Sequence, residues 1–300
     1  MTSAAQNLLW HYCSFNTFKL ILKNKNILLN DITRCLDRQE IRFAKKRFRL
    51  LLCNDVKHVL KKHSKRSRKV KEAMSLKSVL RKVYSKHICW VFCLAESDDI
   101  EGHWLWHGDR SKGLSIGFKL NALLNNASKI DLTSAKIIYG NKKVKQLFDS
   151  KKDVFKHIMT DAFDKYEELY KSFSGTKKEL EDRCKDIVDI FYRDMIDLLL
   201  TEFASFKRRK FSWEKEQRLI LTSTSLGRSL SAKGEHLQII DCFRNKCFVS
   251  FDLAYAVKAI TIGEKSELTV KDIEDFLRTE CFLTYREIQK IQIRKITMDV

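Results

Sequence analysis

Two spacings of apolar residues alternate along the first third of the chain. Residues 8–32 begin with the apolar stretch LLWHYCS and continue through Phe18, Ile21 and Leu22 at helical spacing, until Asn24 and Asn26 interrupt the pattern. This predicts a strand, a short helix and a second strand. From Arg42 to Tyr84 apolar residues recur every three to five positions. They predict two amphipathic helices, joined by the hinge KKHSKRSRK, with basic faces in solvent.

Later segments favour short strands and a few capped helices. The runs CWVFCLA (89–95), LSIGF (114–118) and AKIIY (135–139) predict buried strands, as do EQRLILTST, KCFVSF, KAITIG and the last stretch IQIRKI. Ser150 and Thr176 open capping-box patterns ahead of two helical stretches separated by the turn SFSGT, and Thr269 opens a further helix.

The order of these elements indicates the fold class. Strands do not alternate regularly with helices, and no glycine-rich phosphate loop is present, which disfavours doubly wound nucleotide-binding folds. We predict a single α+β domain over residues 1–300, built on a twisted, mostly antiparallel sheet. It carries a basic helical insertion at about 41–88 and a helical hairpin at about 145–205.

Charge is concentrated in one segment. Lys and Arg number 58 against 38 Asp and Glu, a formal net charge of +20. Residues 41–88 hold 17 Lys or Arg and only two acidic residues, so most of the excess lies there. Such a segment is typical of a nucleic-acid or nucleoprotein partner, and a solvated basic helix pair is the alternative. The candidate phosphate contacts are Lys45, Lys46, Arg47, Arg49, Lys61, Lys62, Lys65, Arg66, Arg68 and Lys69.

The sequence does not favour a membrane span, a disulfide framework or a metal site. No apolar run reaches the roughly 18 residues of a membrane span, and no secretory signal is visible, so we expect a cytoplasmic protein with reduced cysteines. His103 and His107 have the i, i+4 spacing of a helical metal site, but Gly102 and Gly108 argue against a helix there. No metal is predicted.

Three constellations carry candidate chemistry. His11 and Tyr12 lie at the end of the first strand, where a histidine held by backbone on one ring nitrogen can donate from the other to a ribose hydroxyl; a satisfied structural histidine is the alternative. Cys13 beside His11 lacks a visible orienting residue for nucleophilic chemistry.

The second constellation is WLWHGDRSKGLSIGF, residues 104–118. Trp104, Trp106 and His107 precede a glycine, and aromatic rings beside such a turn can form a platform for a nicotinamide or a base. A hydrophobic plug under a loop is the alternative.

The third constellation lies in KRRKFSWEKEQR, residues 207–218. Glu214, Glu216 and Arg218 are two apart, so a strand there places all three on one face. Two carboxylates can stabilise a developing glycosyl cation or ligate Mg²⁺, and a surface ion pair is the remaining alternative.

Taken together in this order, the constellations resemble a bacterial domain-of-unknown-function family, number 2971. The matching segments are LWHYCS (9–14), LDRQE (36–40), WLWHGDRSKGLSIGF (104–118), KRRKFSWEKEQR (207–218) and KAITIGEKSE (258–267). The chain departs from the family pattern at Leu36, Arg38 and His107, where the family has Asn, Pro and Tyr.

The same elements are distantly similar to ADP-ribosyltransferases, in which NAD⁺ lies in a cleft of a split sheet. This resemblance implies catalysis by Glu216, Glu214 and His11. It implies NAD⁺ contacts from His11, Tyr12, Trp104, Trp106, His107, Lys112, Gly113, Ser115 and Arg218. The reaction would be NAD⁺ hydrolysis or ADP-ribose transfer to nucleic acid or protein, in a toxin or phage-defence setting. The alternatives are a nucleic-acid-binding module, or a divalent-metal nuclease using Asp37, Glu40, Glu214 and Glu216.

Overall fold

The computed structural model describes residues 8–34, 89–126, 131–223 and 246–297, together with positions 42, 44 and 46. The predicted fold class is confirmed, since helices surround a mostly antiparallel open sheet. Position 46 is helical with an exposed side chain. The other nine candidate phosphate contacts of the basic insertion, and Asp37 and Glu40, lie outside the described residues. In the described part of the chain, no helix is long and apolar enough to cross a membrane.

The amino-terminal strand, helix and strand form as predicted. They are β1 (Leu8–Cys13), α1 (Phe15–Asn24) and β2 (Asn26–Asp31), followed by a 3₁₀ turn at Ile32–Arg34. The Ser14 hydroxyl accepts a hydrogen bond from the amide of Thr17 and so caps α1. Lys25, in a left-handed conformation, ends the helix.

The middle of the chain contains one strand more than predicted. Its elements are β3 (Cys89–Ala95), α2 (Glu101–Trp106), β4 (Leu114–Lys119), α3 (Leu120–Asn126), β5 (Thr133–Lys136) and β6 (Ile138–Tyr139). The single strand expected at 135–139 is divided at Ile137, because β5 pairs with one strand and β6 with another.

A long helical hairpin follows, formed by α4 (Asn141–Ser172) and α5 (Lys177–Phe203). The Thr176 capping box is confirmed, since Thr176 and Glu179 exchange hydrogen bonds at the start of α5. The helix start expected at Ser150 is wrong. Residues 141–149 include no Gly or Pro to stop a helix, so α4 begins three turns earlier, after Gly140.

The last third supplies β7 (Phe206–Lys207), a 3₁₀ helix at Arg209–Glu214, β8 (Glu216–Thr222) and β9 (Lys246–Ser250). It ends with α6 (Leu253–Ala256), β10 (Val257–Ile262), α7 (Val270–Thr279), α8 (Tyr285–Ile288) and β11 (Gln292–Lys295). Thr269 caps α7 as predicted.

The main sheet runs in the order β11-β10-β4-β1-β3-β2-β9, with β8 paired to β3 and β5 paired to β8. Among its described pairings only β10 with β11 is parallel. A separate parallel pair joins β6 and β7 beside it.

Two strands, β1 and β2, lie on one edge of β3 and diverge from each other. This divergence positions the site. All seven residues of β3 pair with β8, which occupies one edge of the strand. On the other edge, the backbone of β1 pairs with β3 only at Trp10 and Ala95, while β2 pairs only with Trp90 and Val91. Between these contacts the sheet is split along Phe92, Cys93 and Leu94.

Two apolar cores cover the two faces of β3 and β8. Phe92, Leu94, Leu219 and Leu221 face a core completed by α1, α3 and α7. The alternate residues face a second core under the α4–α5 hairpin. The period of two along each strand therefore assigns successive residues to different cores, and the split lies beside both.

Candidate functional site

A cavity of about 600 Å³ lies at the split in the sheet. It brings together residues from the beginning, the middle and the late part of the chain. Its lining consists of Trp10, His11, Tyr12, Asn30, Val91, Phe92, Cys93, Leu94, Ala95, His103, Trp106, His107, Lys207, Phe211, Trp213, Glu214, Glu216 and Arg218. This volume lies within the range of small-molecule and cofactor sites.

Four charged groups form one wall of the cavity, and all four are buried. Arg218 binds the Glu216 carboxylate with two nitrogens, Nε to Oε1 at 2.6 Å and Nη2 to Oε2 at 3.2 Å. The Lys207 ammonium donates to Glu216 Oε2 at 2.8 Å and also to the Glu214 carboxylate. We refer to these four residues as the charge cluster. Its two cations and two carboxylates leave no net charge when both glutamates are ionised.

The backbone around the charge cluster explains how it is held. Arg218 also donates from Nη1 to the carbonyl of Ala204, at the end of α5. The amide of Glu216 donates to the Tyr139 hydroxyl at 2.9 Å. Lys207 belongs to β7, which pairs with the strand containing Tyr139. The small β6–β7 sheet therefore places the ammonium over the first residue of β8.

The prediction that Glu214 and Glu216 share a strand is wrong, although both side chains reach the same cavity. Glu214 ends the 3₁₀ helix, and Lys215 adopts a left-handed conformation with φ of 42°. The strand begins only at Glu216. Glu216 and Arg218 do share one face of β8, as the spacing predicts, and Gln217 faces away toward Ser134.

The environment separates the pKa values of the two carboxyls. Burial alone would raise the pKa of Glu216, but Arg218 and Lys207 hold it well below its usual range. Burial raises the pKa of Glu214 to about 7, because Lys207 only partly offsets the desolvation and Glu216 adds repulsion. Near neutral pH the cavity therefore presents a permanent anion and a neighbouring carboxyl that exchanges its proton.

His11 lies on β1 at the split, and its side chain contacts β3 across it. Its Nδ1 is 3.1 Å from the Cys93 carbonyl oxygen, and its ring stacks on Phe92 at 4.3 Å. A carbonyl only accepts, so Nδ1 carries the hydrogen and Nε2 of the neutral ring is an acceptor. The expected backbone contact is present; toward a ribose hydroxyl the ring accepts instead of donating. Burial, which is the largest influence, lowers the pKa of His11 to about 4.

The expectation that Gly102 and Gly108 exclude a helix at 103–107 is wrong for α2. Gly102 lies inside the helix, and its lack of a side chain leaves room for the Trp213 ring, since a Cβ there would fall 2.3 Å from the indole. His103 and His107 consequently face the same cavity, with ring centroids 5.4 Å apart. His103 Nε2 donates to the Glu214 carbonyl at 2.7 Å. No group of His, Cys, Asp or Glu among the described residues has metal-binding geometry.

His107, from the central motif, lines the same cavity as the charge cluster. Burial, and then the repulsion of His103 and His11, lowers its pKa to about 4. Burial likewise lowers the pKa of His103. All three histidines of the cavity are therefore neutral near pH 7.

The remaining aromatic candidates take different places. Trp106 lines the cavity and is 68% exposed, whereas Trp104 is fully buried and donates its indole N–H to the Asp98 carbonyl at 2.8 Å. Tyr12 stacks on His103 at 4.9 Å and donates to the Ser97 carbonyl. Trp104 thus joins α2 to the loop that precedes it, and Tyr12 packs against His103 of the same helix.

Three further candidates lie away from the cavity lining. Lys112 is exposed, and Gly113 is a close-approach position, where a Cβ would fall 2.2 Å from the Cys13 carbonyl oxygen. Ser115 is fully buried in β4, and its hydroxyl has no hydrogen-bond partner among the described residues.

Sequence reasoning missed Lys207, Phe211, Trp213, His103 and Cys93 as lining residues. Lys207 stands in the run KRRK, which gives no sign of burial, and Gly102 and Gly108 argue against the helical spacing that would pair His103 with His107. Cys93 lies in an apolar run without any chemical signal, yet its thiol donates to Glu216. Trp213 had a signal in the motif KFSWEKE, directly before Glu214.

Comparison with known families bears on the central part of the chain. Residues 104–219 match the family described as Protein of unknown function (DUF2971). The match runs from Trp104 into β8 and so includes both the central motif and the charge cluster, which supports the resemblance drawn from those motifs. The amino-terminal LWHYCS and the late KAITIGEKSE lie outside it. Searches of curated proteins and of solved structures gave no match.

Proposed function

We propose that this protein cleaves the nicotinamide–ribose bond of NAD⁺ and passes ADP-ribose to an acceptor or to water. One observation carries the proposal: His11, the aromatic end of α2 and the pair Glu214 and Glu216 converge on one cavity. The motif resemblance required that convergence of three distant segments. The proposal includes a nucleic-acid or protein acceptor, and a cytoplasmic toxin or phage-defence role.

Glu216 is the group suited to the cationic sugar. Breaking the C1′–N bond leaves the electron pair on neutral nicotinamide and develops positive charge on the ribose. A fixed carboxylate stabilises that charge more in the transition state than in bound NAD⁺. Arg218 and Lys207 keep Glu216 ionised and hold it in one orientation. His107 offers a ring face toward the nicotinamide side, and the His11 Nε2 accepts from a ribose hydroxyl.

Glu214 is the group suited to the acceptor. The incoming O–H or N–H forms its bond to C1′ and releases a proton, which an ionised Glu214 takes up as general base. Ionisation of Glu214 also brings the charge cluster from +1 to neutral, which favours a cationic sugar beside it. Its raised pKa places this change near neutral pH.

Free nicotinamide released from NAD⁺ tests the proposal. We expect release by the wild-type chain, and a loss on the order of 10²–10³ in Glu216→Gln. Glu202→Gln is the matched control, because Glu202 is a buried glutamate on α5, outside the cavity lining. Absence of release with water, nucleic acid and lysate acceptors would overturn the proposal, and so would equal rates in Glu216→Gln and wild type.

The pH profile tests the division of roles. We expect the rate to rise as pH increases through about 7, because the base form of Glu214 is required. In Glu214→Gln that rise should disappear while binding of NAD⁺ remains. A profile unchanged by this substitution would remove Glu214 from the mechanism.

A further inference from the structure

Two exposed indoles stand at the mouth of the cavity. Trp106 is 68% exposed and Trp213 is 36% exposed, although both line the cavity. The Trp213 ring lies against Gly102, and Trp106 follows Gly102 by four residues on the same face of α2. The two rings therefore occupy one side of the entrance.

Basic side chains lie on the segment that supplies Phe211 and Trp213 to the cavity. Lys210 Nζ lies 4.8 Å from the ring centre of Phe211, a cavity-lining residue, and the Arg208 guanidinium lies 5.4 Å from it. Arg209, Lys210 and Lys215 are exposed. Arg209 and Lys215 form no ion pair with any described carboxylate. The nearest acidic residue of this segment, Glu214, is turned inward to Lys207.

We infer that this entrance is a binding site for single-stranded nucleic acid, with a base stacked on Trp106 and Trp213 and the flanking phosphates on Arg209, Lys210 and Lys215. Exposed aromatic rings among basic side chains are how proteins hold an unpaired strand, because every base has a stacking face and every linkage carries a negative charge. A duplex hides those faces, so it satisfies only the basic half of the site. We call Trp106, Trp213, Arg209, Lys210 and Lys215 the entrance site.

The entrance site deepens the proposed function by naming the acceptor. A base stacked at the mouth lies on the path to Glu214, which the proposal assigns to the acceptor side. The binding test below uses no NAD⁺. Its failure would leave nicotinamide release unaffected, and failure of nicotinamide release would leave the binding result standing.

The experiment is a titration of the full chain with 12-nucleotide single strands, one of DNA and one of RNA, each containing a single 2-aminopurine. Anisotropy of an end label gives the affinity, and quenching of 2-aminopurine reports stacking. We expect quenching by the wild type. Trp106→Ala and Trp213→Ala should each remove most of it and weaken binding by roughly 5- to 150-fold, the range for one base–aromatic stack. Trp213→Phe should retain stacking, which separates loss of the ring from disturbance of its neighbour Gly102.

Separate variants test the contribution of the basic side chains and the location of the binding site. Lys210→Gln should lower the slope of log affinity against log salt by about 0.7, the value for one phosphate contact on a single strand. Lys177→Gln, an exposed lysine at the start of α5, should leave that slope unchanged. Phe282→Ala, which removes an aromatic ring that is 82% exposed elsewhere, should match the wild type in both readouts.

Three results would overturn the inference. They are absence of binding to either strand, equal affinity and quenching in wild type and both alanine variants, and a duplex bound as tightly as the single strand. The second would place any nucleic-acid binding elsewhere on the chain. Comparison of the DNA and RNA arms identifies which strand the site prefers.

Discussion

Beside the split in the sheet, the two faces of β3 and β8 are buried in opposite ways. On one face, Phe92 and Leu219 lie in the apolar core closed by α1 and α7. On the other, beyond the end of the helical hairpin, Arg218 and Glu216 are as buried as that core but are held by ionic hydrogen bonds. Apolar burial stabilises the fold without further requirements, whereas buried charges are tolerated only when fully partnered. The chain maintains four such groups where the sheet is split, in the lining of the cavity to which the proposed function is assigned.

The largest effect should come from emptying the apolar core. Phe18 on α1 is fully buried and packs against Phe276 of α7 with ring centres 5.7 Å apart. Phe18→Ala should lower the free energy of unfolding by about 3–5 kcal/mol, because it removes a large buried ring and leaves a cavity. Urea denaturation measures this. Phe282→Ala, at a highly exposed ring, should change stability by less than about 0.5 kcal/mol, and similar losses in both would contradict the packing described.

Removing one cation from the charge cluster should lower the free energy of unfolding by nearly as much. Arg218→Met leaves the Glu216 carboxylate buried with only part of its partners, and we expect a loss of about 3 kcal/mol in urea denaturation. The double variant Arg218→Met with Glu216→Leu should recover most of that stability, since an apolar pair needs no partners. It should also abolish nicotinamide release. If the double variant were no more stable than Arg218→Met, the cluster would be a stabilising element of the scaffold.

The same contrast explains how far the sequence could predict the molecule. Alternating or helical apolar positions assign the strands and helices of the cores, because burial on one face leaves a periodic mark. The cavity has no such mark. Glu214 is followed by a left-handed backbone conformation at Lys215, and the helix that carries His103 contains a glycine against which Trp213 packs. Single-sequence periodicity contains neither a left-handed turn at a lysine nor a contact between distant segments.

A smaller effect should appear in the pH dependence of stability. The pKa of His107 is lowered from 6.5 to about 4, first by burial and then by His103 and His11. Between these values the unfolded chain binds a proton that the folded chain refuses. The stabilising contribution is therefore complete above pH 6.5 and is lost as pH falls toward 4.

His107→Gln isolates this contribution. The fall in unfolding free energy between pH 6.5 and 4 should be smaller in the variant than in the wild type, by on the order of 1 kcal/mol. Glu214 acts in the opposite direction over the same range, but it is present in both proteins and cancels in the difference. Urea titrations at four or five pH values provide the measurement, and parallel curves for the two proteins would mean that His107 is solvated.

The smallest effect should come from a single buried hydroxyl in β4, the strand next to β1. Ser115 lies in β4 opposite Tyr12 of β1, in the interior of the sheet. Its buried hydroxyl has no partner among the described residues, so it pays a desolvation cost without a compensating hydrogen bond. Ser115→Ala should leave stability unchanged or raise it by up to about 1 kcal/mol, and nicotinamide release should match the wild type. A Gly113→Ala variant offers the contrast, because its added methyl meets the Cys13 backbone and should destabilise the chain. If Ser115→Ala instead lowered the rate of nicotinamide release at unchanged stability, the serine would contact substrate. The cavity would then extend past β1 to β4.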